Sequence, residues 1–399
     1  MTDVLSKALS AVTEALASPP SPESINIGTA MQLLGAMDDL RTMLEPPNLA
    51  VIKLSIAPYA LSATRVAQGM GIFNAFAQAE GSKELTLEEL DEQTKGDKQL
   101  LFRIMRHLSA SKIFTLVDGS KYRPSPLALT LADGSPVGDC VKHFYLNMRG
   151  TSFLNEYLRD RNYTNPDDAN DTVFQYAHNT KEHFFEWLDH NIEDQLAFNS
   201  VMTMNRQFSQ GEWYEAFPVE EKLNVSESPD RTLLVDIGGG IGADVLLFKK
   251  HFPQLPGKLV VQDLPGVIND IKGPLPEGVS AMTYNMFETQ PVKGAKAYYL
   301  RTVLHDWPDK QALETLKMVR EAMAEDSILL INEHNMPESN QSNASTAIDQ
   351  DMMEVFSSLE RTEAEWNSLL EKGGFNVVKV WKSAPSGPLE RVLYEAVKA

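Results

Sequence analysis

The sequence predicts an α/β protein in which a doubly wound, mainly parallel sheet follows a mainly helical N-terminal region. Three observations predict it. Apolar runs of strand length alternate with helical periods from Arg231 onward. One of these runs, Leu233-Leu234-Val235-Asp236-Ile237, leads directly into Gly238-Gly239-Gly240-Ile241-Gly242. Before Arg231, helical apolar spacing dominates and is interrupted by one helix–turn–helix–hairpin pattern.

Residues 1–45 read as helices broken at Ser18-Pro19-Pro20-Ser21-Pro22, and Pro46-Pro47 ends the second of them. Ala50 to Ala77 is strongly apolar and helical, which suits a buried or subunit-facing helix pair. Thr86 with Glu89 three residues later forms a capping box, Gly96 ends that short helix, and Asp97 caps a second. Phe114 to Tyr122 then reads as two strands around Asp118-Gly119. Together these make a winged-helix unit. Lys98, Arg103 and Arg106 raise the question of DNA binding, but the acidic chain favours a scaffold or dimerisation role.

Residues 140–228 are again helical and rich in aromatics and histidine. Strands are predicted at 232–237, 258–262, 279–283, 296–301, 327–332, 375–381 and near 390–396, with helices at 242–251, 264–271, 309–324 and 362–373 between several of them. The polar stretch Pro337 to Ser345 reads as a disordered loop. The resulting division is 1–139, 140–228 and 229–399.

The chain has 399 residues, 43% of them hydrophobic and 23% charged, as in an ordinary soluble protein. A net charge of −19 argues against a nucleic-acid partner. One cysteine, Cys140, excludes an internal disulfide and any multi-cysteine metal cluster. The N-terminus lacks a secretory pattern, and no stretch is read as approaching the ~20 apolar residues that span a bilayer. These features suggest a cytoplasmic protein with no membrane partner.

At the strand–glycine junction, backbone N–H groups can approach a ligand more closely than any Cβ would allow. Asp263 ends the next apolar run, one βα unit later, where a carboxylate can accept from ribose hydroxyls. The ligand is therefore a nucleoside. Gly238, Gly240 and Ala243 satisfy a dinucleotide fingerprint, whereas Asp236 suits the cationic amino acid end of S-adenosylmethionine. The loop alone leaves both open.

Five segments carry a resemblance: Leu234 to Gly242, Gln262-Asp263-Leu264-Pro265, Tyr298 to Asp309 with its Leu304-His305-Asp306-Trp307, Ile331 to His334, and Leu359 to Trp366 followed by Lys372-Gly373-Gly374-Phe375. In order and spacing they resemble the S-adenosylmethionine-dependent O-methyltransferases of the plant caffeate type and their fungal secondary-metabolite relatives. The resemblance covers about residues 50–399. It implies a Rossmann-like catalytic domain and a homodimer joined through the N-terminal helices. It also implies that His305 is the general base, with Glu333 and Glu360 on either side of it. Gly238, Gly239 and Gly240 would line the cofactor, and Asp263 would take its ribose. Asn285 and Met286 would face the adenine, Asn285 standing where the family usually has an acid. Arg301 would close over the cofactor. No metal is implied.

The resemblance implies methylation of a hydroxyl on a small aromatic or polyketide-like metabolite. A cofactor-retaining dehydration or pericyclic reaction on the same fold is the alternative. His143, Met352, Met353 and Phe356 are the candidate substrate contacts.

Overall fold

A computed structural model describes residues 2–18, 24–79, 84–208, 211–339, 341–382 and 390–399. The proline break at 19–22 lies outside them. The chain divides into two compact units, Met1–Ala63 and Thr64–Ala399.

The first unit is helical, with helices Thr2–Ala17, Ile27–Leu44 and Pro47–Ile56, and it displays much apolar surface. Leu33, Leu34, Met43, Val51, Ile52 and Leu54 are all more than half exposed. The expectation that no stretch is long and apolar enough to span a bilayer needs correction. Pro47–Met70 is a helical run of 24 residues that qualifies by length and composition. Pro58 does not break it, because proline fits the first position of the following helix Pro58–Met70, where no N–H is needed.

In the second unit, the short strands β1 (Leu85–Thr86), β2 (Phe114–Val117) and β3 (Lys121–Pro124) form a sheet in the order β1-β3-β2 beside helices Leu87–Gln93 and Lys98–Ala110. Thr86 and Glu89 close the expected capping box, and Asp97 caps the second helix. Asp118 and Gly119 both adopt positive φ in the three-residue turn between the paired Val117 and Lys121.

The larger sheet contains β4 (Thr232–Ile237), β5 (Lys258–Asp263), β6 (Val279–Thr283), β7 (Ala297–Arg301), β8 (Ile328–Asn335), β9 (Phe375–Lys382) and β10 (Glu390–Lys398). Their order is β6-β5-β4-β7-β8-β10-β9. β4 to β8 pair in parallel, and β10 runs antiparallel to both neighbours. Both faces are covered, so the central strands read as continuous apolar runs. Tyr298 and Leu300 pack on one face with Leu316 and Trp366, while Ala297 and Tyr299 pack on the other with Trp213 and Phe248.

The connections step from β4 to β5 to β6 and then return to place β7 on the other side of β4. The order thus reverses between β4 and β7, and in open α/β sheets ligands bind at the carboxyl ends of strands flanking such a reversal. The glycine turn follows β4, and His305 follows β7.

One expectation fails near the site. Asn343-Ala344-Ser345 is not part of a disordered loop but the first turn of helix Asn343–Phe356. Ser342 caps that helix, exchanging hydrogen bonds with Ser345. The polar residues that suggest a loop are the cap itself.

Candidate active site

The turn after β4 is built for glycine. Gly238 has φ +70°, and a Cβ there would stand 2.7 Å from Val303 Cγ2. At Gly239 a Cβ would stand 2.6 Å from the Asp236 carboxylate. Gly240 has φ +60° with nothing within 4 Å of a built Cβ, so its face is open. Its N–H donates to Asp263 Oδ2 at 2.8 Å, and the Leu264 N–H donates to Oδ1 at 2.7 Å. Burial raises the Asp263 pKa against the pull of these two N–H groups. Each of its oxygens keeps a lone pair for a further donor.

At the adenine-facing segment, Asn285 is exposed and its Oδ1 accepts the Phe287 N–H at 3.1 Å. Met286 is half-buried and packs against the sheet core. Arg301, expected over the cofactor, has Nη1 at 2.6 and 2.9 Å from the two carboxylate oxygens of Asp244. Tyr299 donates to the same carboxylate at 3.0 Å and accepts from Asn332 at 2.8 Å. This network locks the helix Ala243–His251, which Gly242 precedes, to β7 and β8. Tyr299 and Asn332 lie in motif segments that give them no role, and Asp244 lies outside those segments.

His305 sits in a single 3₁₀ turn, Leu304–Asp306, just beyond β7. Its Nδ1 lies 2.9 Å from Glu360 Oε1, and its Nε2 lies 3.4 Å from Asp306 Oδ1. Glu333, at the inner part of β8, does not bond the ring. Its Oε1 accepts the N–H groups of Val303 and Leu304, each at 2.9 Å, and so holds the turn. Ser358 donates to the His305 carbonyl at 2.5 Å. Arg361, fully buried, donates to the carbonyls of Leu304 and Trp307. The two expected glutamates are thus both present but do different work.

Burial opposes charge on His305, but Asp306, Glu360 and Glu333 outweigh it and push its pKa up to about 10. Burial raises Asp306 to about 7, against the attraction of His305. Glu333 is also raised by burial. Three carboxylates around one imidazole make a site hospitable to positive charge.

His334 joins this group unexpectedly. Arg391 donates to its Nε2 at 2.9 Å, and burial followed by the Arg391 charge pushes its pKa down to about 3. Donor atoms of His305, His334 and Glu360 lie within 4.8 Å of one another, a spacing that could hold a metal ion. They come from three separate segments, so no linear spacing reveals the cluster.

The substrate candidates fall beside an aromatic cluster. Phe356 and Met352 pack with Phe174, Phe184, Phe185 and Phe198, and Met353 is half-buried outside that group. His143 is buried between Phe144 and Phe198, and burial pushes its pKa down to about 4. His183, which no motif marks, stacks on Trp307 with centroids 4.7 Å apart and planes 6° apart. Through Trp307 and Phe287, 4.7 Å apart, this aromatic wall reaches the adenine-facing segment.

A family model described as an O-methyltransferase domain matches residues 158–376. The O-methyltransferase mfmE of Annulohypoxylon moriforme is 34% identical over 92% of this chain and 92% of its own. LepI in complex with S-adenosylmethionine superimposes with a TM-score of 0.83 at 27% identity, covering all of both chains. A structure described as a pericyclic reaction enzyme gives 0.82 at 28% identity, again over all of both. With the glycine turn and the His305 turn flanking one switch point, the protein is an enzyme that uses S-adenosylmethionine, and it belongs to the S-adenosylmethionine-dependent O-methyltransferase family.

Proposed function

We propose that the protein methylates a hydroxyl of a small aromatic or polyketide-like metabolite, with His305 as the general base. The contact between His305 Nδ1 and Glu360 Oε1 carries this reading. A carboxylate at Nδ1 keeps the proton on that nitrogen and leaves Nε2 as the atom that accepts one. Glu333, Ser358 and Arg361 fix the turn, so the imidazole meets the hydroxyl with little freedom to lose.

The residues fit the cofactor. Gly238 and Gly239 keep the turn tight, Gly240 leaves open space, and Asp263 offers lone pairs at its rim. Asn285 and Met286 would face the adenine. S-adenosylmethionine supplies a methyl group already activated on a sulfonium centre, which leaves proton removal and alignment to the protein. The surplus of carboxylates around His305 suits that positive charge. Replacing His305 with alanine and measuring methyl transfer alongside cofactor affinity tests the role of the base.

A second reading is a dehydration or pericyclic reaction that retains the cofactor. The raised His305 pKa favours it, because an imidazolium donates a proton or a hydrogen bond instead of accepting one. Mass spectrometry of hydroxylated metabolites incubated with the cofactor separates the two. A gain of one methyl supports transfer, and an isomerised or dehydrated product with the cofactor intact supports the second reading.

We further propose that the protein works as a homodimer, with the exposed apolar side chains of the first unit as the contact. Sedimentation at micromolar concentration tests this, and a monomer would overturn it.

A further inference from the structure

Away from His305, a buried polar seam joins two helices. Helix Pro136–Asp160 presents His143, Asn147 and Thr151 at four-residue intervals, which places them on one face. Asp351 and Glu354 of helix Asn343–Phe356 meet them. Glu354 is satisfied, receiving Thr151 Oγ1 and Gln350 Nε2 at 2.8 Å each.

The other half of the seam is not satisfied. Asn147 Nδ2 lies 2.9 and 3.2 Å from the two oxygens of Asp351 and 3.4 Å from His143 Nε2. That directs its two hydrogens to those two partners and leaves Oδ1 as an acceptor with no donor. Oδ1 is sealed from solvent, and Asn147 as a whole is 4% exposed. His143 Nδ1 is likewise sealed and unmatched. Asp351 forms no ion pair among the described residues, and its pKa is raised by burial to about 7. A helix–helix crosslink alone would not leave an amide oxygen unmet where it is costly. The seam also borders the aromatic cluster: Met352 and Phe356 share the helix of Asp351, and Phe144 and Phe198 flank His143.

We propose that Asn147 and Asp351 select the acceptor by an N–H group remote from the hydroxyl that is methylated. The favoured acceptors are hydroxylated nitrogen-containing ring compounds. The inference rests on the proposed methylation of a small aromatic metabolite, with His143, Met352 and Phe356 as its contacts. Asp351 holds the Asn147 amide so that Oδ1 is the unmet acceptor; an N–H donor satisfies it where a ring oxygen or C–H does not, and a site built around a buried hydrogen bond discriminates strongly against an analogue lacking the donor.

The matched probes are 5-hydroxyindole and 5-hydroxybenzofuran, which differ in shape by little more than N–H against O. Their binding is measured calorimetrically in the presence of S-adenosylhomocysteine, in the native chain and in Asn147→Leu and Asp351→Asn. The expected result is at least tenfold tighter binding of the indole, falling to within twofold in each variant while benzofuran and cofactor affinities hold. Equal binding of the pair, binding of neither, or a preference that survives both substitutions overturns the proposal. Equal methylation of both probes by the native chain would remove this inference and leave methyl transfer standing.

Discussion

Asp236 leaves no room for a side chain at Gly239, since a Cβ there would stand 2.6 Å from the carboxylate carbon. Gly240, two positions from Gly242 in the same turn, faces open space and carries only the cost of positive φ. The two glycines should therefore respond differently to alanine. Gly239→Ala forces the turn or the buried Asp236 to move and is expected to weaken cofactor binding at least a hundredfold. Gly240→Ala costs about 1 kcal/mol of backbone strain, roughly fivefold in affinity. Calorimetric titration with S-adenosylhomocysteine ranks them, and the reverse order would contradict the geometry.

For His305→Ala, turnover is expected to fall at least a thousandfold with cofactor affinity changed less than threefold. The chain holds its glycine turn and Asp263 without help from the ring. Glu360→Gln should cost less, about 10- to 100-fold in turnover, because the ring stays in place but loses the charge behind Nδ1. Undiminished turnover in the alanine variant would remove the base.

The raised His305 pKa fixes the direction of two pH effects. A base that holds its proton up to about pH 10 becomes competent only as pH rises, so kcat/KM should climb with unit logarithmic slope above neutrality. Stability should move the other way. Above about pH 6.5 an unfolded histidine releases its proton while the folded site keeps it, so the folded chain binds more protons and loses stability as pH rises toward 10. His305→Gln should lose less stability than the native chain between pH 7 and 9.5 in urea titrations. Parallel curves would place the pKa near its ordinary value.

Arg301 and Asp244 are nearly buried, with side chains 12% and 11% exposed. Removing the cation alone strands a carboxylate beside Tyr299. Arg301→Leu should destabilise the fold by about 3–5 kcal/mol, and cofactor binding should weaken with it because the helix after Gly242 loosens. Chemical denaturation measures the first and calorimetry the second. A variant as stable as the native chain would show that the pair carries no weight.

Much of this architecture is legible along the chain. The strand runs predicted from 232 to 283 coincide with β4, β5 and β6 to within one residue; β4 and β5 are covered on both faces and read as apolar runs, and β6, at the sheet edge and partly exposed, is marked by Gly278 before it. The capping box at Thr86 marks its helix start in the same direct way. Ser342 shows the limit, since a serine pair reads equally as cap or loop until the helix behind it is seen. At the site, His305 and Glu360 stand in local motifs and meet as expected. What Glu333 does was not legible, because its partners are backbone N–H groups that carry no residue identity. Asn147, Asp351 and His334 meet their partners only through tertiary packing between distant segments, which no periodicity records.

Thr302, between β7 and the turn of His305, has φ +46°, a left-handed conformation that a β-branched residue resists. The Glu333 carboxylate on the next two N–H groups keeps it there. The position of the imidazole is therefore held under tension. A library screened for heat resistance alone should enrich glycine or asparagine at 302, and the survivors should be sturdier proteins and poorer catalysts.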